Sequence, residues 1–357
     1  MKTNNLFIVG AGFDKSVDSC SPLNADLLSK VSENDQEIRE LMSKYPVTND
    51  IEKLLTFLDL TDDEDSPRIR LKIQNYLVDY FKQQFRFNPG KIQEWMCIFA
   101  KEILTEDDAI VNLNYSCALD GMLDFYEVWS PKGGYSKSVG KLSMSVPDDY
   151  PDNMKSPRKR IQIYKIHGSE HFEETCFGDD ETKTYVELMV DENIFPQSAR
   201  HSEFGAGNGK SKGYIIAPSY VKKPHVQVLY MMNEVLARAH TAKTLVIIGC
   251  GLRREDVFLW NLVCAFLVKN YRASKYQTKK LIILDPKANS IMQNVKDYFR
   301  TEIGGFFAED GRAIALEGCV HEKINDLKMA LQDDVETGFK PVSSAPESVQ
   351  TLHGGRP

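Results

Sequence analysis

The sequence predicts an α/β fold: a doubly wound parallel sheet with a helical insertion and a smaller second lobe. Two observations predict the sheet. Short apolar runs at residues 6–9, 109–113, 161–166, 245–248 and 281–284 each end in a small or polar residue. Buried parallel strands look like this where they deliver a loop to a ligand site at their carboxyl ends. Between and around these runs, residues 226–240 and 257–271 carry apolar side chains at helical spacing. Strand alternating with helix implies a Rossmann-like sheet covered on both faces. A third observation places the insertion. Residues 49–104 hold three segments of helical spacing, around 51–58, 69–85 and 92–104, and Ser66-Pro67 marks a helix start.

The remaining elements follow in order. Residues 22–44 are polar and helical in pattern. Residues 114–160 are rich in Ser, Gly and Pro and read as short strands and loops. Residues 170–213, polar and broken by glycines, form the second lobe, and residues 214–217 a short strand closed by Pro218. The chain thus divides into an α/β unit of residues 1–48 and 105–330 and a helical insertion of 49–104. After about Leu331 the composition turns to Ser, Pro, Gly and charge, and residues 331–357 read as a disordered tail.

Composition bounds the function. The 357 residues are 42% hydrophobic and 27% charged, ordinary for a globular protein. The net charge of −7 argues against nucleic acid as a direct partner. The basic cluster Lys155, Arg158, Lys159 and Arg160 reads as a solvated loop. No apolar run approaches the length of a membrane span, and the first residues lead into a strand without a signal-peptide pattern, so a cytoplasmic location is expected. The seven cysteines are odd in number and no two have the two-residue gap of a zinc knuckle. They read as reduced thiols, and the second lobe as zinc-free.

Four motifs carry the chemistry. Gly10-Ala11-Gly12 ends the first strand, with Phe13 and Asp14 opening the next helix. Glycines there let a backbone approach a pyrophosphate. The third glycine of the dehydrogenase fingerprint is missing, which counts against hydride transfer. Asn114 ends the second apolar run, in NLNYSCALD. His167-Gly168-Ser169 ends the third; an imidazole there can take a proton near neutral pH, and Gly168 allows the sharp turn. His171 follows four residues on, with no carboxylate pattern to complete a metal site. Gly249-Cys250-Gly251 with Asp256 ends a later strand, and Asp285-Pro286 the last. One decoy is set aside. Residues 205–213, GAGNGKSKG, contain Gly-Lys-Ser, but a triphosphate loop needs a glycine where Phe204 stands, so the segment reads as a loop or lid.

In this order the motifs resemble the sirtuin-like NAD-binding domain, and more narrowly the sirtuin-like NAD hydrolases of bacterial anti-phage defence. The resemblance covers residues 6–30 and about 109–294. It implies NAD as substrate, with its pyrophosphate at Gly10, Ala11, Gly12, Phe13 and Asp14. Asn114 would orient water and hold the nicotinamide ribose, and His167 would relieve a ribose hydroxyl of its proton. Gly168, Gly249, Cys250, Asp256 and Asp285 would complete the binding surface, without a metal. Ile215-Ile216-Ala217-Pro218 is similar to a family strand followed by a lysine, here Lys222 or Lys223. The resemblance further implies NAD glycohydrolase activity, NAD depletion in defence, and control by a homo-oligomer switch or a separate partner such as a HerA-type ATPase or an Argonaute. The alternatives are a non-catalytic NAD or ADP-ribose sensor, and an NAD-dependent deacylase or ADP-ribosyl transferase. Sirtuin deacetylases carry a four-cysteine zinc module that has no counterpart here. Three further positions depart from the pattern, one of them Asn112, where the family has a threonine. The family has a serine among the positions where Asp14 stands, and an aspartate where Ser116 stands. An anion beside a phosphate is unfavourable, so Asp14 is expected to point away or to meet a ribose hydroxyl.

Overall fold

The computed structural model describes residues 4–33, 35–44, 50–84, 87–141, 161–177, 185–190, 211–216, 224–268, 279–299 and 312–332. Strands are numbered in chain order. A six-stranded parallel sheet holds β1 (Asn5–Val9), β2 (Ala109–Asn112), β4 (Gln162–Tyr164), β8 (Thr244–Ile248), β9 (Lys280–Asp285) and β10 (Ala313–Glu317), in spatial order β10-β9-β8-β1-β2-β4. β1 lies inside, with Phe7 beside Ile110 on one flank and Val246 on the other. Its Leu6, Phe7, Ile8 and Val9 are fully buried. That is the reason for an unbroken apolar run rather than an alternating one, and each such side chain stabilises the fold by about 1.5–3 kcal/mol. From β1 the chain winds outward through β2 and β4, then returns to β8 and winds the other way. The reversal creates a topological switch point between the carboxyl ends of β1 and β8, where a crevice opens in folds of this class.

The helices of this unit are α1 (Ala11–Val17), α7 (Ala118–Phe125), α8 (Pro131–Gly134), α9 (Val226–Thr241), α10 (Val257–Val268), α11 (Ala288–Tyr298) and α12 (Val320–Gln332). α1 packs on α7 and α12, and α9 on α10. β10 and α12 extend the fold past Leu284, where the sequence reading placed its last strand. β10 is only half-buried along its length, so its pattern is weak. α12 reaches Gln332, and residues 333–357 lie outside the described residues, as do the basic cluster at 155–160 and Pro218, Lys222 and Lys223.

The second lobe is a sheet, ordered β3 (Gly140–Lys141), β6 (Tyr185–Val190), β5 (Gly168–Phe177) and β7 (Ser211–Ile215), in which β5 runs antiparallel to both β6 and β7. The short strand expected at residues 214–217 therefore starts earlier and belongs to this sheet. Its apolar Tyr214 and Ile215 are buried, but the pairing partner is β5 rather than a strand of the parallel sheet. Residues 211–213 of the glycine-lysine-serine decoy are in β7, and residues 205–210 lie outside the described residues.

Residues 22–44 form two helices, α2 (Asn24–Glu33) and α3 (Gln36–Lys44), the second capped by Asp35, whose Oδ1 accepts from the Glu37 and Ile38 amides at 3.0 and 3.2 Å. α4 (Ile51–Leu60) is capped likewise by Asp50, and α5 (Ser66–Gln84) begins at Ser66, whose amide donates to Asp63 at 2.7 Å. Leu27, Val31, Ile38, Leu54, Leu55, Ile73 and Leu77 from these four helices make a second apolar cluster, joined by Tyr115 and Ile215. The third helical pattern behaves differently. α6 (Glu94–Cys97) runs into a π-helical turn, Ile98–Ile103, and both face the main core. There Phe13 meets Trp95 edge-on at 5.5 Å and Phe99 at 5.2 Å. The two cores divide between Phe81 and Trp95.

Candidate functional site

The first site element is a pair of glycine turns that pack on one another. A Cβ on Gly10 would come within 2.6 Å of the Gly249 carbonyl, and one on Gly12 within 2.8 Å of the Gly249 Cα. Gly249 has φ +58°, and a Cβ there would strike the Phe13 amide at 2.5 Å. The Gly10 amide donates to Ile248 at 2.9 Å, and the Gly12 amide to Gly249 at 3.0 Å. Glycine at these positions is thus required by the close approach of the β1 and β8 turns. The Gly12 amide, and the Phe13 amide bound to Gly10 at 2.9 Å, are engaged within the fold rather than pointing to a ligand.

Above these turns lies a cleft of about 760 Å³, within the size of small-molecule sites. Gly10, Ala11, Gly12, Asn114, His167, Gly249, Cys250, Asp256 and Asp285, the residues singled out in sequence, all line it. Phe13, Asp14 and Gly168 do not. Phe13 turns into the aromatic core, Asp14 turns inward, and Gly168, at φ +75°, is pressed against the Tyr214 backbone. Sequence reasoning missed Lys15, Glu52, Arg253, Lys287 and His321 on the same wall. Glu52 comes from α4, and its carboxylate meets the Arg253 guanidinium at 2.6 Å, so the helical unit supplies one side of the cleft. No motif in the insertion signals this. The aromatic pair Phe81 and Tyr115, 5.5 Å apart, joins α5 to the cleft floor.

Two cleft residues have their hydrogen-bonding roles fixed. The Asn114 amide nitrogen donates to the Gly10 carbonyl at 3.1 Å and to Asp14 at 2.8 Å. A carbonyl only accepts, so the amide cannot be flipped, and its oxygen is the atom it offers to the cleft. The His167 Nδ1 faces the Leu113 carbonyl at 3.3 Å, so Nδ1 carries the proton in the neutral ring and Nε2 is the basic atom. Nε2 lies 3.8 Å from Asp256 Oδ2.

Beneath the cleft is a buried polar layer. The Ser116 hydroxyl donates to Asp14. Lys165 donates to the carbonyls of Asn114, at 3.1 Å, and Ser116, and its ammonium is 3.2 Å from Asp120. Asp120 also accepts from Asn112 at 3.1 Å and from the Tyr135 hydroxyl at 2.9 Å. Because Tyr135 donates there, His171 Nε2, 2.7 Å away, must be the donor to its oxygen. Ser169 donates to Tyr115, which leaves the Cys117 thiol, 2.8 Å from His171 Nδ1, to donate to that nitrogen. Burial favours the neutral forms: it pushes the His171 pKa far down and the Cys117 thiol far up. It also raises Asp14 to about 7 against the pull of Ser116 and Lys165, and Glu170 to about 7 against the Cys117 amide. Burial works against the Lys165 charge too, but Asp120 and its acidic neighbours outweigh it and hold its pKa up.

Asp14 and Ser116, two separate oddities in the sequence, meet in this layer. They are the two ends of one hydrogen bond. Asp14 is buried and points away from the cleft, the first of the two outcomes expected for it.

Strand order, register and a cleft at the switch point define a Rossmann-like α/β protein with a crevice where folds of this class bind ligands. No protein-family model matches the chain, and no curated protein matches it. Among solved structures it is similar to a Sir2 homologue in complex with ADP ribose, at 9% identity over 94% of each chain and a TM-score of 0.44. It is also similar to a Sir2 bound to the inhibitor EX-527, 2'-O-acetyl-ADP-ribose and a deacetylated p53 peptide, at 11% identity over 91% of this chain and 93% of that one, with a TM-score of 0.34. Among the described residues, no group of three His, Cys, Asp or Glu side chains could hold a metal ion, and no helix is long and apolar enough to cross a membrane.

Proposed function

We propose that the protein is an NAD glycohydrolase that cleaves the nicotinamide–ribose bond, with water as co-substrate, to give nicotinamide, ADP-ribose and a proton. The observation that carries this reading is the convergence of Gly10, Asn114, His167 and the Gly249–Asp256 segment, four parts of the chain far apart in sequence, on one cleft. NAD lies along the strand ends, its pyrophosphate over the paired glycine turns. The nicotinamide ribose lies between Asn114 and His167. As the bond to nicotinamide lengthens, positive charge grows on the anomeric carbon. His167 Nε2 takes the proton of a ribose hydroxyl and so stabilises that charge. The Asn114 carbonyl accepts a hydrogen bond from the incoming water, whose oxygen replaces nicotinamide. The sequence resemblance supports a role in NAD depletion during anti-phage defence. It also supports restraint by a homo-oligomer switch or a separate partner such as a HerA-type ATPase, since uncontrolled NAD loss would harm the cell.

The test is to incubate purified protein with NAD and to quantify nicotinamide and ADP-ribose beside His167→Ala and Asn114→Ala. Equal release of both products by the parent protein, lost by on the order of a hundredfold or more in each variant, is the expected result. Intact NAD recovered bound to the parent protein without product would overturn hydrolysis in favour of a sensor.

A further inference from the structure

The sequence resemblance implies that Asp256 is part of the NAD-binding surface after the second glycine turn. In the structure its neighbour is His167. The carboxylate Oδ2 is 3.8 Å from His167 Nε2, and the two side chains are only 16% and 14% exposed. Because Nδ1 holds the ring proton at Leu113, neutral His167 has no hydrogen on Nε2 to offer Asp256. The pair gains its attraction only once Nε2 has accepted a proton. A charge placed so acts on the protonated ring far more than on the neutral one, which is the condition for helping a proton transfer rather than substrate binding.

We propose that Asp256 is a positioning residue for His167, a fixed anion that stabilises the imidazolium formed when the ring takes a proton from substrate. The proposal rests on the hydrolase reading for its chemistry, but the pair itself does not. Other charges share the cleft: Glu52 from α4, Arg253 and Glu255 from the loop after β8, Lys15 from α1, and Asp285 and Lys287 at the end of β9. Arg253 is paired with Glu52 at 2.6 Å, so that carboxylate is neutralised locally. Asp256 also has a structural task. It directly precedes α10, and its Oδ1 faces the Leu259 amide at 3.4 Å. The two oxygens therefore divide the work, one toward the helix and one toward the imidazole.

That division makes the test selective. Asparagine caps a helix as well as aspartate does but carries no charge. In Asp256→Asn the melting temperature should hold, while the His167 ring titration, followed by NMR, moves to lower pH because the imidazolium has lost its anion. NAD cleavage should fall on the order of tenfold to a hundredfold in kcat with KM little changed. The acid limb of its pH profile should follow the ring to lower pH. If the asparagine variant melts early, Asp256→Ser, another capping residue without charge, replaces it. An unmoved His167 titration in a stable variant would overturn the pairing. So would Glu52→Gln shifting the ring as far as Asp256→Asn, since a diffuse field would then be responsible. If the parent protein releases no nicotinamide yet the titration moves, the pair stands and the hydrolase reading fails.

Discussion

The cleft wall and the polar layer beneath it use the same residue types under opposite conditions. On the wall, Glu52 pairs with Arg253 and His167 faces Asp256, all reached in part by solvent. In the layer, Lys165, Asp120, Asp14 and Ser116 are buried, and nearly every donor and acceptor is matched. Water can replace a missing partner on the wall. Below it nothing can, and an unmatched charge carries its full desolvation cost. The difference teaches which substitutions should test chemistry and which will test folding.

The sharpest contrast is Lys165→Met against His167→Ala. The methionine removes the ammonium that joins Asp120 to the Asn114 and Ser116 carbonyls, and leaves a buried carboxylate unpaired. A loss of about 3–5 kcal/mol is expected, read as a collapse of the denaturant midpoint or loss of soluble protein. His167→Ala, which should abolish NAD cleavage, should cost under about 1 kcal/mol. If the two variants proved equally stable, the distinction between layer and wall would be wrong.

A second test exchanges Asp14 and Ser116. Asp14→Ser deprives the Ser116 hydroxyl and the Asn114 amide of their shared acceptor, at about 1–3 kcal/mol. Ser116→Asp sets a second carboxylate against Asp14, a like-charge contact that costs at least as much. The double exchange restores one carboxylate and one hydroxyl with their positions reversed. It should be more stable than either single variant in a denaturant titration. Strictly additive losses would show that the two side chains are not coupled.

How much of this was legible in sequence differs between the same two regions. Apolar runs ending in glycine, asparagine or histidine located the strand ends, because a buried parallel strand must be apolar throughout and polar where it stops. The wall residues they delivered did meet. The layer was not legible, because many of its contacts join distant residues, such as Asn114 with Asp14, 100 positions apart, and Tyr115 with Ser169, 54 apart. Asp14 and Ser116 were visible only as two separate anomalies. The contribution of Glu52 was hidden for a different reason: an amphipathic helix announces its buried face, while the charged residue it presents to a distant loop has no period. β10 escaped because a half-buried strand of alanine, isoleucine and leucine has little contrast.

The mildest prediction concerns pH. Glu170 is raised to about 7 from an ordinary value of 4.5, chiefly by burial. Its Oε1 accepts from the Cys117 amide at 2.9 Å, while its buried Oε2 has no partner among the described residues. A carboxyl with a raised folded pKa contributes stability that is complete below about pH 4.5 and is lost as the pH rises through 7, because the native state holds a proton the unfolded state has released. Asp14, raised to about 7 by burial, adds a loss of the same sign. Glu170→Gln keeps an acceptor for Cys117 and cannot ionise. It should flatten the fall in melting temperature between pH 5 and 8. The gain at pH 8 should be on the order of 1 kcal/mol, held down because its amide hydrogens enter a place without an acceptor. Parallel curves for parent and variant would mean that Glu170 stays ionised in the fold. The layer would then tolerate a buried charge that its hydrogen bonds do not match.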